Sequence, residues 1–142
     1  MELSTLFGPL EIQFVIGLAL SIVLGYIIGA EREIRGKDAG ISTHIMVIAG
    51  AMLFTLLSNI VDPFSTSRIA SQIVVGIGFL GAGLILKEGT SVKNLTTAAS
   101  LWFAAALGMA IGYEYYVIAL IAGIAIALIP RIPNVRKTHS DG

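Results

Sequence analysis

The chain has no cysteine, and only 13% of its 142 residues are charged. The first absence excludes disulfides, thiolate metal sites and cysteine nucleophiles, and leaves the compartment open. The second says more, because soluble domains carry about 25% charged residues. Excess charge of one sign is missing too: nine basic residues balance nine acidic ones. Such a chain has no electrostatic footprint for nucleic acid, and no nucleic-acid partner is expected. What it has is apolar surface, with 56% hydrophobic residues and a mean hydropathy of +0.89. A soluble domain this short leaves a large fraction of its surface in water. Lipid accommodates it.

Five apolar stretches contain no Asp, Glu, Lys or Arg: Ile12–Ala30, Ile45–Val61, Ile69–Leu86, Leu95–Gly112 and Tyr115–Pro130. Their lengths, about 16 to 19 residues, lie near the lower limit for crossing a hydrocarbon core of about 30 Å. No basic n-region precedes the first stretch, which therefore reads as a retained helix. The expected fold is an all-α integral membrane protein, a bundle of five transmembrane helices forming one domain over residues 1–142. A short basic tail follows from residue 131. Placement of Lys and Arg sets the orientation. Arg32, Arg35, Lys37, Lys87, Lys93, Arg131, Arg136 and Lys137 fall on one side of a five-span chain, and Arg68 alone on the other. The positive-inside rule then puts the N-terminus outside and the C-terminus in the cytoplasm. Tyr113, Tyr115 and Tyr116 suit an external aromatic belt.

Small residues recur every fourth position. Gly17, Ser21, Gly25 and Gly29 form one face, and Ser100, Ala104, Gly108 and Gly112 another; Ala119, Gly123 and Ala127 repeat the spacing. Membrane helices pack through such faces because backbones can approach closely. The regularity predicts a compact bundle with a second copy beside it, a dimer. Gly76, Gly78 and Gly81 match the GxGxxG dinucleotide fingerprint, but they lie inside an apolar run with Thr96 where an acidic residue belongs. With Gly83 they instead predict close helix contact or an unwound segment facing a ligand. Asn94, Leu95 and Thr96 match a glycosylation sequon on the predicted cytoplasmic side, where it has no meaning.

The first connection, Glu31 to His44, holds the densest chemistry. Glu31 meets the negative end of a helix dipole, so a cation must compensate: Arg35, Lys87, Lys93 or Mg²⁺. Glu31, Glu33 and Asp38 are the one carboxylate cluster in the chain, and hard cations choose oxygen ligands. The alternative is a charged loop held by ion pairs. His44, at a helix start, reads as a satisfied polar cap. Trp102 lies too deep for an interfacial belt and is expected inside the bundle. No ionisable residue falls at mid-span, where ion-coupled transporters usually carry one, and no nucleophile–base pair stands out. Enzyme chemistry is not expected.

Two stretches, Gly29–Ile45 and Asp62–Trp102, with the glycine-bearing end of helix four, resemble the MgtC/SapB family of bacterial and archaeal membrane proteins. Two positions depart from that pattern: Ser42, where Arg is frequent, and Asn94, where Gly is common. The chain resembles the shorter, membrane-only branch, which lacks a C-terminal cytoplasmic domain. The resemblance implies an inner (plasma) membrane protein linked to magnesium limitation. It implies either a Mg²⁺ transporter or a regulator of other membrane proteins, the F-type ATP synthase among them. By the same resemblance the residues that matter beside Glu31 and Glu33 are Arg32, Gly36, Lys37, Gly40, Thr43 and His44. Arg68, Gln72, Gly76, Gly78, Gly81, Gly83, Lys87, Thr96, Thr97 and Trp102 follow from its second stretch. No cofactor is required; Mg²⁺ is the ion the carboxylates would take. Membrane lipid, a second copy and a membrane protein such as an ATPase are the expected partners. A third reading is a lipid or small-solute binder using the polar ends of helices three and four.

Overall fold

A computed structural model describes residues 8–88 and 91–132, and these form a bundle of five α-helices. They are α1 (Pro9–Ile34), α2 (Ile41–Val61), α3 (Ser67–Leu84), α4 (Leu95–Gly112) and α5 (Tyr116–Leu128), the last continued by a 3₁₀ turn, Ile129–Arg131. Between α3 and α4 the chain makes a small antiparallel hairpin, β1 (Leu86–Glu88) with β2 (Ser91–Lys93), Lys87 opposite Val92. No sequence signal announced the hairpin; helix three was expected to run to Leu86. The dinucleotide reading is excluded, since Gly76, Gly78 and Gly81 lie within one continuous helix.

Helix number agrees with expectation, but length divides the five. Helices α1 to α4 are long and apolar enough to cross a membrane. With 13 residues, α5 reaches only about 20 Å at the helical rise per residue. Helix α1 runs one turn past its apolar stretch to Ile34, and α2 begins at Ile41, four residues early. Backbone hydrogen bonding does not end where hydrophobicity does. Between them the chain turns at Gly36, whose φ is +63°. The Gly36 amide donates to the Glu33 carbonyl (2.9 Å) and the Lys37 amide to the Arg32 carbonyl (3.0 Å). That pair of bonds is a Schellman closure, which favours glycine at the left-handed position.

Helix α2 lies between α1 and α4, and the small-residue faces make both contacts. A Cβ on Gly25 would sit 2.6 Å from the Ile45 Cα, and one on Gly112 would sit 2.6 Å from the Met52 carbonyl oxygen. Gly29 meets the Ile41 backbone, Gly108 the Ile48 carbonyl, and Gly17 the Met52 side chain. Ser21, Ser100 and Ala104 are buried on the same faces. Leu24, Ile28, Ile48, Met52, Leu107 and Ile111 fill the space between. Helix α5 packs against α4 and α1, with Ala119 buried and Gly123 against Leu24 of α1. Helix α3 is peripheral: only 17% of its apolar window is buried, against 56% for α4.

Candidate functional site

The alternating helix directions bring together the C-terminal ends of α1 and α5 and the N-terminal ends of α2 and α4. That end carries most of the charge. Inside it lies a polar node buried by three helices. Arg32, near the end of α1, is 2% exposed, and its Nη2 donates to Thr97 Oγ1 on α4 at 3.1 Å. One turn along α4, Ser100 Oγ donates to the Thr97 carbonyl at 2.7 Å and lies 3.3 Å from His44 Nε2 on α2. His44 Nδ1 is 2.9 Å from the Gly40 carbonyl. A carbonyl only accepts, so Nδ1 donates there. A neutral His44 then competes with Thr97 for the one Ser100 hydroxyl proton. Thus α1, α2 and α4 are joined by one chain of polar contacts. His44 is bonded within its own helix turn, to the Gly40 carbonyl, and does not cap α2, whose N-cap is Gly40, with no side-chain cap hydrogen bond.

The carboxylates do not converge. Glu31, buried, pairs with Arg35 four residues on. Glu33 Oε1 accepts the Ile41 amide at the start of α2 (2.9 Å), and Asp38 accepts from Asn94 Nδ2 (2.5 Å). Each meets a different partner, because the turn at Gly36 and the start of α2 separate them; the Glu31 oxygens have the Arg35 charge but no hydrogen bond. Among the described residues no group of three His, Cys, Asp or Glu is placed to hold a metal ion. The Mg²⁺ cluster expected from Glu31, Glu33 and Asp38 therefore does not fit this geometry, and Arg35 supplies the compensating cation. Asn94 takes a left-handed conformation, φ 63°. That explains why glycine suits this position, and the amide adds a tie to Asp38 that glycine lacks.

Two clefts flank the node. Between α2 and α3 a groove of about 610 Å³ is lined by Thr43, Gly50, Phe54, Gln72, Gly76 and Leu80, among others. A second cleft of about 650 Å³ lies between the basic ends of α1 and α5 and the first turns of α4. It brings Arg32, Lys37 and Thr96 together with Arg35, expected only as a counter-charge to Glu31, and Arg131, expected only as a topology marker. Arg35 was detectable as the i+4 partner of Glu31. Nothing in the sequence pointed to Arg131, since the Arg35 Nη1 contact to the Pro130 carbonyl (2.7 Å) spans 95 positions.

Other expected residues scatter. Arg68 is at the opposite end, 3.5 Å from Asp62. Lys87 is exposed on β1. Gly81 faces Ala98 at van der Waals distance, but Gly76, Gly78 and Gly83 have open space where a Cβ would be. Their expected close contact is not made within the chain, and the helix is not unwound. Trp102 corrects a further expectation: it is 53% exposed. The buried face of α4 runs through Thr97, Leu101, Ala104 and Gly108, and Trp102 sits across from it.

A multi-pass membrane helix bundle, tied at one end by a buried arginine–hydroxyl–histidine node, is the class of protein these features define. The family follows from comparison. The MgtC family profile matches residues 18–137, and the chain belongs to that family. It is 45% identical over 117 residues to Protein MgtC of Salmonella typhimurium strain LT2, a match covering 82% of this chain and 51% of the relative. It is 38% identical over 129 residues to the Putative magnesium transporter YhiD of Escherichia coli K12, covering 82% and 59%. Against Protein MgtC of Brucella abortus it is 49% identical over 96 residues, covering 67% and 40%. The chain thus spans about half the length of the curated relatives it matches. No solved structure matches it.

Proposed function

We propose that this chain is a non-enzymatic, magnesium-linked regulator of the inner (plasma) membrane that acts through helix–helix contact. The partner is a second copy or another membrane protein such as an ATPase. The magnesium link rests on family membership and on the relative named a putative magnesium transporter. The contact mode rests on one observation, the open groove between α2 and α3. Its floor carries Gly50 and Gly76, each with free space at the Cβ position. Helices in lipid associate through such small-residue surfaces. The distribution of Lys and Arg supports a cytoplasmic basic end.

Ion conduction is the competing reading, and it needs a mouth that attracts Mg²⁺. Glu33 and Asp38 accept protein hydrogen bonds and Glu31 is ion-paired with Arg35, which favours regulation. Two measurements on purified protein in liposomes separate the readings. Single-cysteine variants at Val75 or Phe79, on the cysteine-free background, are expected to crosslink across the α3 face to a second chain or a co-reconstituted partner. Mg²⁺ flux is expected to equal that of empty vesicles. Saturable flux abolished by Glu31→Gln, without crosslinking, would replace the regulator with a transporter.

A further inference from the structure

The cleft between α1, α4 and α5 has the wrong sign for a metal cation. Its lining supplies Arg32, Arg35, Lys37 and Arg131, and no carboxylate. Arg35 is engaged by Glu31 and the Pro130 carbonyl. Among the described residues Lys37 and Arg131 have no ion-pair partner, and Arg32 has only the through-space attraction of the neighbouring Glu31. Arg32 is nearly fully buried, yet its Nε has no hydrogen-bond partner. A buried, unsatisfied guanidinium N–H carries a substantial desolvation cost unless something accepts from it. Guanidinium and ammonium groups together recognise phosphate, the arginine through paired N–H donors and the lysine as a point charge.

The rest of the wall is greasy. Phe103, Ile126, Ile129 and Ile132 line the same cleft, and it sits where α1 ends and α4 begins. A soluble anion has no use for that apolar wall; a lipid phosphate with its acyl chain has. We propose that this cleft binds the phosphate headgroup of an anionic phospholipid, with an acyl chain lying along Phe103 and Ile129. Basic pockets between membrane helices on the cytoplasmic side bind acidic headgroups by this chemistry. The site is distinct from the α2–α3 groove, so its occupancy and partner contact are separately measurable.

The test uses the full chain in neutral detergent, incubated with equimolar phosphatidylglycerol and phosphatidylcholine, with retained lipid counted by native mass spectrometry. Wild type is expected to keep one phosphatidylglycerol per chain with about tenfold preference over phosphatidylcholine. Lys37→Gln/Arg131→Gln changes two exposed side chains; it is expected to keep the wild-type circular dichroism spectrum and to abolish the preference. A parallel arm adds excess inorganic phosphate, which is expected not to displace the lipid. Equal retention of the two lipids, or a double variant that behaves as wild type, overturns the proposal. Displacement by inorganic phosphate also overturns it and would assign the cleft to a soluble anion.

Discussion

Helices α3 and α4 are both 18 residues long, rich in small residues and of nearly equal hydropathy, yet their environments differ sharply. Helix α4 is the most buried of the four long helices, and its Gly108 and Gly112 sit against the α2 backbone. Helix α3 lies at the edge, with Phe79 82% exposed and three of its four glycines facing open space. A glycine at helical spacing is therefore a capacity for close approach. Whether the capacity is used within the chain depends on which helix reaches it first. Helix α2 presents one face to α1 and another to α4, which leaves α3 an outward surface for something else.

The comparison breaks most readily at Gly108. Leucine there would drive its Cβ into the Ile48 carbonyl, and overpacking in a tight core costs about 1–3 kcal/mol or more. Gly108→Leu is expected to lower the midpoint of thermal unfolding in detergent strongly or to prevent accumulation of folded protein. A Gly108→Leu protein as stable as wild type would mean that α4 is not seated on α2 as described. Arg32→Gln strikes the node instead. It removes the donor to Thr97 and is expected to cost about 1–3 kcal/mol, while Arg32→Lys recovers only part because lysine lacks the planar fork. Denaturant titration of both variants checks the order. Gly36→Ala forces a Cβ into the left-handed closure of α1, and about 1 kcal/mol is expected from the same titration.

The smallest effect on the fold is expected in α3, and it is the sharpest test of the contrast. A Cβ at Gly76 meets nothing in the chain and the groove beyond it is open, so Gly76→Leu should change stability by no more than about 0.5 kcal/mol, while crosslinking through Phe79→Cys falls. Loss of stability comparable to that of Gly108→Leu would show that α3 is as tightly seated as α4. The single tryptophan gives a measure without mutation. Brominated lipids are expected to quench Trp102 strongly, because it faces outward; protection from quenching would mean that a partner covers it.

Much of this molecule was legible in advance, for identifiable reasons. The faces through Gly17 to Gly29 and Ser100 to Gly112 were readable because helical periodicity puts every fourth residue on one side, and both proved buried. Gly76 and Gly78 satisfied the same rule and proved open, since spacing names a face but not its neighbour. Trp102 failed similarly: its position along the helix was readable, but facing is set by the helix's rotation in the bundle. Arg32, His44 and Thr97 were singled out by resemblance, but their connection through Ser100 needed three helices in place. The carboxylates looked like a cluster because they are close in sequence. Arg35 and the Ile41 amide, both near in sequence, and Asn94, 56 positions from Asp38, draw them apart in space.

Composition and patterning by themselves determined that the chain enters a membrane, where its helices begin and end to within about a turn, and which faces permit close packing. Those properties follow from hydrophobicity and the helical repeat, both local. The tertiary structure decided which glycines are used, which carboxylate meets which donor, and that Arg131 joins Arg32 and Lys37 in one basic cleft. Such outcomes depend on contacts between residues up to about a hundred positions apart, for which the chain's own order carries no signal.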